Sequence, residues 1–184
     1  GAGIADVERY SFSWPVSAVA VKQGDSNSVW VGTGNSHTPL AQANWSSSSK
    51  FGHIFATTDG GVSWNEITIP GLTGGSTVFS IVLIPAGQPG PDEIIVSAQS
   101  GVFRSVDGGT EWENWTGALP IESIRRLLYL PAANGYAKEL LVSVSSESGG
   151  VWRSDFAGAW TATAITNIAA NYIVGDQSRV NGNM

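Results

Sequence analysis

Short apolar runs return along this chain in a fixed order, separated by polar turn residues. The pattern predicts a strand at 16–21, a second at 29–32, a third at 53–57 and a fourth at 64–69. The same order follows at 78–84, 93–98, 101–105 and 112–116, and again at 124–130, 139–144, 150–154 and 160–165. Residues 168–174 open a fourth unit, and Met184 ends the chain before a third strand of that unit. Ahead of the first unit, Tyr10-Ser11-Phe12-Ser13-Trp14 alternates aromatic and small polar residues, which predicts a strand within 1–14 whose partners lie elsewhere. No run has helical 3.6-residue periodicity. Residues 121–130 come nearest to one, and their place in the repeat argues for a strand.

The link between the third and fourth strands is the most regular part of each unit. It reads Thr57-Thr58-Asp59-Gly60-Gly61-Val62-Ser63-Trp64 and then Ser105-Val106-Asp107-Gly108-Gly109-Thr110-Glu111-Trp112, with a step of 107 − 59 = 48 residues. A third copy, Ser154-Asp155-Phe156-Ala157-Gly158-Ala159-Trp160, is one residue shorter and carries Phe156 at the acid position. Each part of Ser/Thr-x-Asp-x-Gly-x-x-Trp has a turn-forming role. Gly takes the left-handed backbone. The Asp carboxylate accepts hydrogen bonds from loop N–H groups, and the hydroxyl does the same. Trp covers the turn with an apolar ring whose N–H needs an acceptor. The third turn is expected to be looser, because Phe156 accepts no hydrogen bonds.

Four strands in each repeat of about 40–50 residues predict an all-β protein, a β-propeller segment of about three to four antiparallel blades. The blades fall at 16–69, 78–116 and 124–165, with incomplete strands at 1–14 and 168–184, all in one domain over 1–184. This incomplete count predicts a partial propeller, completed by more chain or by other copies. The alternative is a four-bladed ring pinned by pairing of the two terminal segments.

The repeated motif resembles the Asp-box, or bacterial neuraminidase repeat, family, found in sialidases, xyloglucanases and sortilin-type receptors. The resemblance covers roughly 16–165. It implies that Thr57, Asp59, Gly61, Trp64, Ser105, Asp107, Gly109, Trp112, Ser154, Gly158 and Trp160 are structural, on the propeller face away from any active site. Val29-Trp30-Val31-Gly32-Thr33-Gly34 and the insertion after it also look like the first blade of secreted glycosyl-hydrolase-like proteins.

Composition narrows the function. The net charge of −6 argues against a nucleic-acid backbone as partner, and no apolar stretch is long enough for membrane insertion as a helix. The absence of cysteine excludes disulfides and thiol catalysis. Two histidines leave little for a metal site, so neither metal nor cofactor is expected. The insertion at 34–52 is the enlarged loop, against only Gln99-Ser100 in the next unit. Trp45 there suits stacking on a sugar ring, with His37, Asn35 and Asn44 as polar contacts, or else caps the blade edge. Glycoside hydrolysis needs a carboxylate pair. Glu122 and Glu147 lie in links to the same face and are the weak candidates for it. Sialidase chemistry is excluded: Arg104 and Arg153 hold equivalent repeat positions, and adjacent Arg125 and Arg126 point to opposite sheet faces.

The sequence therefore predicts a non-catalytic, exported propeller module, extracellular, cell-surface or periplasmic, that binds or scaffolds a protein or carbohydrate partner. The rival readings are a fragment of a xyloglucanase-like hydrolase and a subunit of a surface assembly joined through open blade edges.

Overall fold

A computed structural model describes residues 16–34, 52–72, 75–86, 91–120, 124–133, 135, 137–145, 150–156 and 160–162. They form β1 (Val16–Lys22), β2 (Asp25–Thr33), β3 (Ile54–Thr57), β4 (Asn65–Ile67), β5 (Val78–Ile84), β6 (Glu93–Ala98), β7 (Gly101–Ser105), β8 (Glu113–Asn114), β9 (Ile124–Leu130), β10 (Glu139–Val144), β11 (Gly150–Ser154) and β12 (Thr161–Ala162). Three four-stranded sheets result, in the orders β1-β2-β3-β4, β5-β6-β7-β8 and β12-β11-β10-β9, and every pairing is antiparallel. These are the blades the repeat predicts. The terminal strands expected within 1–14 and 168–184 lie outside the described residues.

The strands β5, β6, β7, β9, β10 and β11 have the bounds expected from sequence. The second strand of the first blade is longer than expected, because Lys22 pairs with Asp25 across a tight turn and carries the ladder down to it. The outer strands β4 and β8 are shorter than expected. Their chain leaves the ladder early, as Leu72 N–H bonds Ile69 O at 3.1 Å and Leu119 N–H bonds Thr116 O at 3.1 Å. An outer strand has one neighbour only, so fewer bonds hold it in register.

Two hydrophobic cores lie between the sheets. One joins Ala18, Trp30, Ile54, Ala56 and Ile69 of the first blade to Val78, Ile81, Ile94, Val96, Ala98 and Phe103 of the second. The other joins Ile84, Ile95, Val102 and Leu119 of the second blade to Ile124, Leu127, Leu140, Val142, Val144 and Trp160 of the third. Side chains alternate across a sheet. Ile94, Val96 and Ala98 of β6 therefore face the first blade, while Ile95 faces the third. Both faces of the middle sheet are covered, which is why β6 reads as a nearly continuous apolar run.

Close approach between the sheets depends on small residues. An added Cβ at Gly32 would lie 2.8 Å from Val78 Cβ, so only glycine lets β2 pass so near β5. The inner strands are also tied directly. Ser17 Oγ donates to Val78 O at 2.7 Å, and Ser97 Oγ donates to Arg125 O at 2.8 Å.

Antiparallel order fixes the two ends of the segment. The β1–β2 and β3–β4 turns share one end of each blade, as the Gly60 N–H bond to Asn27 O and the Gly108 N–H bond to Asp92 O confirm. The β2–β3 links and the blade-to-blade links leave from the other end.

Candidate functional site

The β3–β4 hairpin closes around its acid. Thr57 Oγ1 donates to Asp59 Oδ1 at 2.6 Å and accepts the Gly61 N–H at 3.0 Å. Ser63 donates its N–H to Asp59 Oδ1 at 3.0 Å and its hydroxyl to Asp59 Oδ2 at 2.6 Å. The β7–β8 hairpin repeats this arrangement. Ser105 Oγ donates to Asp107 Oδ1 at 2.7 Å and accepts the Gly109 N–H at 2.8 Å. Thr110 and Glu111 donate their N–H groups to Asp107 Oδ1, each at 3.0 Å. Gly60, Gly61, Gly108 and Gly109 all have positive φ, which the turn requires and glycine takes without a Cβ clash.

These bonds decide what the acids do chemically. The Ser63 hydroxyl, then its N–H and the Thr57 hydroxyl, hold Asp59 far below the usual carboxylate range. The Glu111 N–H and then the Ser105 hydroxyl lower Asp107. A general acid must carry a proton near working pH. Asp59 and Asp107 are anions there, with both carboxylate oxygens engaged in their own turns.

The tryptophans behave differently from turn to turn. Trp112 Nε1 donates to Gly109 O at 3.0 Å and closes its own hairpin. Trp64 Nε1 is buried and meets no acceptor among the described residues. Trp160 Nε1 reaches across to Trp115 O in the second blade at 2.8 Å.

The third turn departs most. The Ser154 hydroxyl still accepts the N–H two residues on, here Phe156 at 3.2 Å. Phe156 has φ of 68°, a left-handed backbone in a residue with a Cβ. Its ring packs against Trp115 at 5.7 Å and edge-on to Tyr129 at 6.1 Å. Lys138 Nζ lies over it at 4.2 Å and the Arg104 guanidinium at 5.7 Å. At its described end the turn is packed, with aromatic and cationic contacts around Phe156. Gly158 and the rest of 157–159 lie outside the described residues.

Sequence patterning missed the charged cluster between the second and third blades. Glu93 accepts Arg104 Nε at 2.6 Å from its own blade and Lys138 Nζ at 3.1 Å from the next. The available signal was that Glu93 and Glu139 stand at the same place in their units, as do Arg104 and Arg153. Lys22 likewise spans the first two blades to Asp92 at 2.7 Å, and that carboxylate raises the lysine pKa. Arg125 stacks over Phe79 at 4.8 Å, whereas Arg126 is exposed. The two point apart, and no arginine cluster forms among the described residues.

At the opposite end, the β2–β3 link of the first blade leaves from a pinned base. Thr33 N–H donates to His53 O at 2.9 Å, Gly52 N–H donates to Thr33 O at 3.2 Å, and Thr33 Oγ1 accepts the His53 N–H at 3.0 Å. The His53 ring is held by Glu66 at 2.6 Å. Asn35, His37, Asn44 and Trp45 lie beyond that base, outside the described residues, as do Glu122 and Glu147. Among the described residues no group of three His, Cys, Asp or Glu side chains is placed to hold a metal ion.

Several solved structures share this geometry. An ancestral GH74 enzyme superposes with a TM-score of 0.53 at 16% identity, over 82% of this chain and 20% of its own. YCF48 from Cyanidioschyzon merolae gives 0.51 at 16% identity, over 82% and 40%. A Niastella koreensis GH74 enzyme gives 0.51 at 16% identity, over 80% and 22%. The chain is a β-propeller segment. At this identity the likeness concerns fold alone, and the chain spans between a fifth and two-fifths of these proteins' lengths. No protein-family profile matches the sequence, and no curated protein does either.

Proposed function

We propose that this segment is an exported scaffold of the Asp-box kind that presents a binding surface for a protein or carbohydrate at the end opposite its box turns. The observation that supports this is the engagement of both oxygens of Asp59 and Asp107 within their own hairpins, as turn-closing acids require. The 34–52 insertion leaves the sheet at the opposite end, where the Thr33–His53 bonds fix its base. Rigid scaffolds commonly carry function on such loops. Trp45 supplies the stacking ring and Asn35, His37 and Asn44 the polar contacts. Glycan-array binding before and after Trp45→Ala tests this. A glycan bound by the parent chain should lose at least ~10-fold in affinity, as aromatic anchors do. Unchanged affinity for every bound glycan would remove the loop from the site.

A second reading, a piece of a propeller glycoside hydrolase, is favoured by the two GH74 neighbours. Release of reducing sugar by this chain, abolished by Glu122→Gln or Glu147→Gln, would establish it. Glycan binding without turnover supports the scaffold.

A further inference from the structure

Two places in the chain join aspartate directly to glycine, Asp59-Gly60 and Asp107-Gly108, and both are the acids of a box turn. The step is chemically weak. Glycine has no Cβ to shield its amide nitrogen, so that nitrogen can reach the side-chain carboxyl one residue before it. The nitrogen gives up its proton and bonds Asp Cγ, and the carboxyl carbon loses its hydroxyl, with that proton, as water. A five-membered succinimide results. Water then adds to either ring carbonyl. Addition at the side-chain carbonyl restores aspartate. Addition at the backbone carbonyl leaves isoaspartate, with the chain running through the side-chain methylene. No oxidant, reductant or group donor is needed, since the water released in the first step is returned in the second.

The closed turn opposes each requirement of the first step. The attacking nitrogen is engaged elsewhere. Gly60 N–H donates to Asn27 O at 3.0 Å and Gly108 N–H donates to Asp92 O at 3.1 Å, each near the start of the second strand of its blade. The carboxylate is bound within the loop instead. Ser63 donates its N–H to Asp59 Oδ1 and its hydroxyl to Oδ2, and Glu111 N–H reaches both oxygens of Asp107 at 3.0 Å. Nitrogen and carboxylate of one Asp-Gly step are thus tied to different segments. The leaving water is opposed as well. The Ser63 hydroxyl and the Glu111 N–H, foremost among the donors, hold the two acids below the usual carboxylate range. The protonated carboxyl that loses water is therefore scarcer than in the unfolded chain. Isoaspartate would also outlast the opening that formed it, because the added methylene displaces the carboxylate from its donors.

We propose that Asp59-Gly60 and Asp107-Gly108 are latent modification sites, inert in the closed hairpin and converted to isoaspartate when a turn opens locally. The box hydroxyl is the latch of each turn. Thr57 and Ser105 each donate to the carboxylate and accept the N–H of the second glycine. Removing one hydroxyl therefore loosens one turn and leaves the network of the other in place.

Peptide mapping of the full chain aged at neutral pH tests this, with electron-transfer fragmentation to tell isoaspartate from aspartate. The map must resolve single sites, because Asn134-Gly135 and Asn181-Gly182 yield isoaspartate through the same ring by loss of ammonia. In the folded chain both Asp-Gly steps should convert at least ~10-fold more slowly than in the chain held unfolded in guanidinium chloride. Ser105→Ala should speed conversion at Asp107 and leave Asp59 at the parent rate. Thr57→Val should do the reverse. The unaltered box in each variant reports on the rest of the fold within the same molecule. Equal rates in the folded and unfolded parent chain would overturn the proposal without recourse to any variant. Acceleration at both sites by one substitution, or at neither, would overturn the claim that each turn protects its own acid.

Discussion

Gly61 and Gly109 occupy the same place in two hairpins and differ in what lies above them. Their φ values are 88° and 96°, and each N–H donates to the box hydroxyl. Alanine keeps that N–H and at both sites meets the left-handed penalty of ~1–2 kcal/mol. An added Cβ at Gly61 would lie 3.7 Å from the Trp64 ring, which is ordinary contact. At Gly109 it would lie 2.7 Å from Trp30 Cη2 and 3.5 Å from Ile94 Cδ1. Trp30 is buried at 9% exposure and meets the Trp112 ring edge-on at 6.4 Å, so it has little room to yield. Overpacking of that kind adds ~1–3 kcal/mol. Gly61→Ala should therefore cost ~1–2 kcal/mol and Gly109→Ala ~2–5 kcal/mol. Urea unfolding followed by circular dichroism measures both, and the unfolded-chain entropy lost on replacing glycine by alanine cancels in the comparison. In a Trp30→Ala background the extra cost at Gly109 should disappear. Equal losses at the two glycines, or an extra loss that persists without Trp30, would refute the claim that the second box seats against the first blade.

Two further outcomes follow from the hydrogen bonds of the acids. Asp107→Ala strands the Ser105 hydroxyl and the Thr110 and Glu111 N–H groups, the last of which reaches both carboxylate oxygens, whereas Asp25→Ala strands the Asn27 N–H and the Ser28 hydroxyl. The first should lower Tm more than the second, and the reverse order in a thermal melt would contradict a structural role for the box. Asp25, Asp59 and Asp107 all titrate below the ordinary value of 3.8 in the folded chain. Their stabilisation is complete above that value and is lost as pH falls through the lower folded values, because the unfolded chain binds protons first. Asp59→Asn combined with Asp107→Asn should flatten the acid limb of a stability-versus-pH curve. An unchanged limb would assign acid sensitivity to other groups.

The blades were legible because a propeller repeats one solution, and repetition multiplies a weak local signal. The β5, β6 and β7 strands have their expected bounds because glycine turns and apolar runs coincide there. The outer strands were read too long because Ile69 and Thr116 continue the apolar and β-branched pattern after the ladder ends. Ile69 is 4% exposed in the core between blades, so burial rather than strand pairing explains it. Pairwise geometry was less legible. Nothing local to Glu93 announces that it receives Arg104 from its own sheet and Lys138 from the next, since that depends on which residues the twist between sheets brings together.

Phe156 shows how this limit misleads. Read alone, Ser154-Asp155-Phe156 is a box that has lost its acid. In the folded chain the position has changed partners. The first two hairpins are held by bonds between residues four or fewer positions apart, within their own turns. The described part of the third also contacts the second blade, through the Trp160 N–H on Trp115 O and the Phe156 ring beneath Arg104 and against Trp115. A left-handed phenylalanine carries a strain that these contacts must offset. These contacts tie the described part of the third hairpin to the sheet before it. In a linear array of repeats, where stability is shared between units and their interfaces, exchanging an internal bond for a neighbouring contact moves stability from the unit to the interface. The third blade thus depends on the second more than its strand pattern alone would indicate.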